Sequence, residues 1–129
     1  MEHFDDFLTA ARAQADAQRL LLVFVDIDEV AGGDTNEGGF LTPKMCVDKT
    51  PDEITSFADL IAEAANTGQA WSLIFAASLA GKGEQAPSST DANKPLDAMI
   101  AGINTGMIQQ YLVFDKQGGI LSLTANDEG

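Results

Sequence analysis

A chain of 129 residues, 45% hydrophobic and 7% aromatic, carries enough apolar surface for one core and is not wholly disordered. Its 20 acidic and 7 basic residues give a formal net charge of -13, which repels phosphate backbones and anionic lipid; no nucleic-acid and no membrane partner is expected, and a basic protein partner is the sharper expectation beside plain solubility. Cys46 is the only cysteine, which excludes an internal disulfide, a multi-cysteine zinc site and a Cys-x-x-Cys redox pair, and fits a reducing compartment.

The N-terminus, MEHFDDFLTAARAQADAQ, has acids where a signal peptide needs positive charge. Nowhere does the chain approach the ~20 apolar residues of a membrane helix, so a cytoplasmic location is expected. Phe4, Phe7, Leu8, Ala11 and Ala15 fall at helical spacing and predict an amphipathic helix from Phe4 to about Gln18, with Asp5 and Asp6 in its first turn. Leu20 to Val25 is an unbroken apolar run ending at Asp26, the pattern of a strand buried on both faces at the centre of a sheet. Residues 28–43 hold four glycines and four acids without a sustained period and read as a long acidic, Gly-rich loop. From Lys44 to Lys49 the chain alternates, Met45 and Val47 against Cys46 and Asp48, which predicts a short strand suited to a sheet edge.

Thr50-Pro51-Asp52-Glu53 has the form of a capping box with proline at the first helical position, so a helix is predicted to start there. Ile54, Phe57, Ala58, Ile61 and Ala65 give it an apolar face, and Gly68 suits its left-handed end. Trp71 to Leu79 reads as a second central strand, the two flanking a helix in the manner of a right-handed crossover. After a loop at 81–87, Ser88 to Asp91 supplies caps, and Pro95 opens or kinks a helix whose face is Leu96, Met99, Ile100 and Ile103 and whose end is Gly106. Tyr111 to Phe114, the turn Lys116-Gln117-Gly118-Gly119 and Ile120 to Leu123 form a closing hairpin, with 124–129 a frayed tail. The expected architecture is a single domain, α/β or α+β, with a single-layer mixed sheet of about 4–5 strands covered by three helices. A thioredoxin-like core is the alternative, without thioredoxin chemistry because Cys-x-x-Cys is missing.

The segment LLLVFVDIDEV places Asp26 and Asp28 two residues apart at the end of an apolar strand, where open sheets with crossover helices gather ligands. It resembles the nucleophile motif of haloacid-dehalogenase-type phosphatases. That resemblance implies Asp26 as nucleophile, Asp28 as acid/base and magnesium as the counter-charge. It further implies Ser78 as the second-motif hydroxyl, Lys82 or Lys94 as the phosphate-holding lysine and Asp115 as a late metal ligand. The late acidic pair of those enzymes has no counterpart here.

Other constellations are thinner. Gly81-Lys82-Gly83 follows a strand and precedes a helix, so its N–H groups could face an anion, although it is not a Walker sequence. Asp34, Asn36 and Gly38 resemble a calcium loop, yet Met45 stands where the closing glutamate is required. His3 is the single histidine, which excludes a multi-histidine metal site. Cys46 between Lys44 and Lys49 reads either as a reactive thiol or, more simply, as a small buried hydrophobe.

The stretches LTPKMCVDKTPDEITSFADLIAEA (41–64) and GKGEQAPSSTDANKPLDAMIAGINTG (81–106) resemble a family of small bacterial proteins of about this length, often labelled "ribonucleotide reductase subunit alpha". The resemblance implies a bacterial cytosolic protein and brings no functional residue with it. A true large reductase subunit is several times longer and uses a radical cysteine with a redox cysteine pair, which one cysteine does not supply. With no catalytic constellation complete, the expectation is a non-catalytic accessory or protein-interaction domain with no cofactor; the alternative is the magnesium-dependent phosphatase built on Asp26 and Asp28.

Overall fold

The computed structural model describes residues 3–28, 40–105 and 111–121, and for Asp28 and Phe40 the backbone alone. In chain order the elements are α1 (Phe4–Arg12), β1 (Gln18–Asp28), β2 (Phe40–Lys49), a single 3-10 turn (Pro51–Glu53), α2 (Phe57–Ala65), β3 (Leu73–Ala80), α3 (Ser89–Thr105), β4 (Leu112–Phe114) and β5 (Ile120–Leu121). The five strands form one open sheet in the order β2-β1-β3-β4-β5.

Period-two alternation along β1 and β3 sends side chains to both faces, and each face is covered. Leu20, Leu22, Phe24, Ile74, Ala76 and Phe114 pack under α1 and α2. Leu21, Val23, Val25, Leu73, Phe75 and Val113 pack against α3 through Ala92, Leu96, Met99 and Ile103. The continuous apolar run of β1 is therefore that of a strand buried on two sides, and the fold is a single-layer sheet between helices as expected. Phe4 is its aromatic centre, with ring centroids 5.6 Å from Phe7, 5.4 Å from Phe57 and 5.1 Å from Phe114.

The connection between the two central strands differs from expectation. Every described pairing is antiparallel, so β1 and β3 are antiparallel neighbours and not the parallel pair of a crossover unit. The chain reverses into β2 before it reaches α2, and the helical crossover joins β2 to β3, which run parallel to each other on opposite sides of β1. Of the helix, buried strand, crossover and terminal strand pair that suggested a thioredoxin-like core, the crossover does not join the two central strands.

Three boundaries also move. α1 stops at Arg12, leaving Ala15 exposed, because the chain must turn at 13–17 to enter β1. β2 starts at Phe40, four residues ahead of the expected strand, so only 29–39 of the acidic loop remains outside the described residues, as do Gly106, the last two positions of the expected hairpin (122–123) and the 124–129 tail. At Thr50 the Glu53 carboxylate accepts from the Thr50 N–H at 2.9 Å, but the capped element is one 3-10 turn. Ile54 is extended, and α2 begins at Phe57 under a second cap, Ser56, whose Oγ accepts from Asp59 N–H at 3.2 Å. Arg12 decides the break: its guanidinium donates to Pro51 O at 3.1 Å and Ile54 O at 2.7 Å, fixing carbonyls that a continuous helix would have used internally. The buried face of α2 is Phe57, Leu60 and Ala64, while Ala58 and Ala65 point to solvent and Ile61 is half-buried.

Pro95 lies inside α3 and removes one internal hydrogen bond without ending the helix. Ser88 caps it reciprocally with Asp91, at 3.1 Å and 3.0 Å. Gly68, at φ +74°, closes the turn after α2 as its composition suggests.

Candidate functional site

Asp26 sits where β1 leaves the covered part of the sheet. Its Oδ1 accepts from Ser72 Oγ at 2.6 Å and from the Ile27 N–H at 3.0 Å. The Ser72 hydroxyl is the main reason its carboxyl titrates below the usual range; partial burial opposes this, and the Ile27 amide, Lys44 and Lys116 add to it. Lys116 also lies 5.2 Å from the centroid of the buried Trp71 ring, whose other face-to-edge partner is Phe24 at 5.1 Å. One end of the sheet thus holds an ionised carboxylate, a hydroxyl and two ammonium groups.

Of the remaining residues of the phosphatase constellation whose side chains are described, only Asp115 lies at that end of the sheet, following Phe114, which pairs with Ile74. β1 and β3 are antiparallel, so Ser72 meets the Asp26 end while Ser78, paired with Leu20, lies six residues or ~20 Å along the strand. The Ser78 hydroxyl donates to Gln18 Oε1 and satisfies that buried amide. Lys82 lies beyond Ser78, past the same far end, and Lys94 is exposed on α3. Asp115 closes the hairpin turn, its Oδ1 accepting from Gln117 and Gly119 N–H, both at 2.9 Å. The side chain of Asp28 lies outside the described residues. Among the described residues no group of three or more His, Cys, Asp or Glu side chains is arranged to hold a metal ion.

The Gly81-Lys82-Gly83 amides are engaged as well. Gly81 N–H donates to Ala17 O at 2.8 Å, Lys82 N–H to Gln85 O at 3.0 Å and Gly83 N–H to Asp16 Oδ1 at 2.9 Å, leaving no cradle for an anion. The calcium-like Asp34, Asn36 and Gly38 lie outside the described residues. His3, the residue with the fewest expectations attached, is the N-cap of α1: Nδ1 accepts from Asp5 N–H at 3.0 Å and Nε2 faces Gln117 O at 3.0 Å.

Cys46 is exposed, contrary to the buried reading. Strand alternation explains it: Met45 and Val47 turn toward the α1/α2 layer, and Cys46 points to the opposite face at the margin of the sheet. That margin is an open edge of the sheet among the described residues. Among the described residues β2 pairs only with β1, so its outer edge from Met45 to Lys49 has no strand beside it. Lys44 is the extra residue of a bulge, since Phe24 pairs with Met45 but Val25 pairs with Pro43. Bulge, proline and lysine protect the first half of this edge, and Met45 to Lys49 forms the regular half.

Beside that regular half lies a groove of about 230 Å³ between β2 and α2, floored by Phe24, Met45, Val47, Leu60 and Ala64 and closed by Thr67. The Lys49–Glu63 ion pair, at 3.3 Å, spans its rim. The β2 alternation was readable in the sequence; that its apolar side meets a helix across an open gap was not, because α2 is brought there by the crossover.

Compared with protein-family models, with curated proteins and with solved structures, the chain matches none. No helix of the described residues is long and apolar enough to cross a membrane.

Proposed function

We propose that this domain is a non-catalytic, cytoplasmic accessory module that binds another protein along β2. The observation that carries the reading is the juxtaposition of an unpaired, regular strand edge with an apolar groove, the arrangement used when a partner segment adds to a sheet and seats alternate side chains in a pocket. The separation of Ser78 and Lys82 from Asp26 supports it against the magnesium-dependent phosphatase, because antiparallel strands carry those groups to the opposite end of the sheet, and the Asp115 carboxylate is engaged by its own turn. The net charge of -13 argues in the same direction against nucleic acid and anionic lipid.

The test is affinity capture from the source cytosol with the wild-type chain and with Met45→Arg, which fills the groove with a charged side chain at a half-buried position. A reproducible partner retained by the wild type and lost by a folded Met45→Arg variant is the expected result. Capture unaffected by the substitution, or no reproducible capture, would count against the reading.

A further inference from the structure

Resting on that reading, we propose that the β2 edge receives an extended cationic segment of a partner protein, which adds as a sixth strand and places one apolar side chain in the groove between β2 and α2. The charges around the groove decide the chemistry. On β2, Lys49 pairs with Glu63 at 3.3 Å and Asp48 with Arg19 at 3.0 Å. Lys44 faces the ionised Asp26. The strand itself is therefore close to neutral in its local field.

Along the helical wall the balance is acidic. Asp59 lies one turn before Glu63 on the same side of α2; Asp52, exposed in the turn that follows β2, stands beside the Arg12 guanidinium held on Pro51 O and Ile54 O and adds less. Neither forms an ion pair among the described residues. This local excess sits in a chain of net charge -13. A lysine- or arginine-bearing segment is steered to such a surface and held by its rim, whereas a second copy of the chain brings the same charge and is repelled. The floor of Phe24, Met45, Val47, Leu60 and Ala64 has room for one aliphatic side chain, which sets the pattern as apolar at one position with polar or basic residues around it.

The probe is a synthetic heptapeptide alternating lysine with threonine and carrying leucine at its centre, followed by backbone amide NMR of the whole chain. Saturable shifts confined to 44–49 and 60–67 are expected. Replacing the lysines by glutamate should weaken binding at least tenfold, and Asp59→Asn should weaken it severalfold while leaving the fold unchanged. N-methylation of alternate peptide amides should abolish binding in one frame and spare it in the other, because only one set of N–H groups faces a neighbouring strand.

Shifts elsewhere, equal binding of the glutamate peptide, equal tolerance of both N-methyl frames, or concentration-dependent dimerisation through β2 would each overturn the proposal. If Met45→Arg loses the captured partner and the peptide still fails to bind, the cationic-strand proposal falls and the interaction reading stands. If capture ignores Met45→Arg, both fall.

Discussion

The imidazole of His3 occupies the space that a side chain on Gly118 would need. A Cβ built on Gly118 falls well inside van der Waals contact with the ring, and Gly118 holds φ +86°, a conformation favoured by glycine. Phe4 N–H donates to Gly118 O at 2.8 Å, so the start of α1 and the β4–β5 turn are built against each other. Gly118→Ala is expected to destabilise the protein by about 2–4 kcal/mol, from the left-handed backbone and the steric conflict together. His3→Ala should cost about 1 kcal/mol through the lost N-cap. Denaturant unfolding of the two single variants and the double variant checks the coupling: Gly118→Ala should cost less when His3 is already absent.

Asp26 and Ser72 give a pH prediction. A carboxyl whose folded pKa is depressed adds stability above its unfolded pKa, and loses that contribution as pH falls through the folded value. Ser72→Ala removes the principal cause of the depression, so the Asp26 carboxyl should titrate at higher pH in the variant. Carbon-13 NMR titration of the Asp26 side chain reads this directly. Stability of wild type and variant, compared by urea unfolding, should converge in acid, separate as pH rises through the carboxylate range and stay apart above it.

Arg12 holds the break between the 3-10 turn and α2. Arg12→Ala leaves the carbonyls of Pro51 and Ile54 without their charge-assisted donor, and a loss of about 1.5–3 kcal/mol is expected. Hydrogen exchange at Ile54 through Phe57 should accelerate before exchange in β1 does.

Millimolar magnesium should leave the amide signals around Asp26 without saturable shifts, and a panel of phosphate esters should show no turnover. The reason is register: Ser78 and Lys82 belong to the far end of an antiparallel strand pair. Magnesium-dependent phosphate release that disappears in a folded Asp26→Asn variant would reverse this expectation.

Much of the local structure was legible because it depends on neighbours in sequence. The apolar run of Leu20 to Val25 specified a doubly buried strand, Phe4, Phe7, Leu8 and Ala11 specified the inner face of α1, and Lys116-Gln117-Gly118-Gly119 specified a tight turn. The start of α2 was misplaced: the capping box at Thr50 pointed to a helix there, whereas α2 starts under Ser56, with Arg12, far before Thr50 in the chain, holding the carbonyls of Pro51 and Ile54 between the two.

Direction and proximity were decided by the tertiary structure. A strand's pattern is the same whether its neighbour runs parallel or antiparallel, so the reversal into β2 was invisible, and with it the separation of Ser78 from Asp26. The same reversal places β2 at the sheet edge and α2 across from Met45 and Val47, creating the groove. Periodicity fixes which face a side chain takes, whereas what lies opposite that face is set by hydrogen-bond register and by packing between residues far apart in the chain.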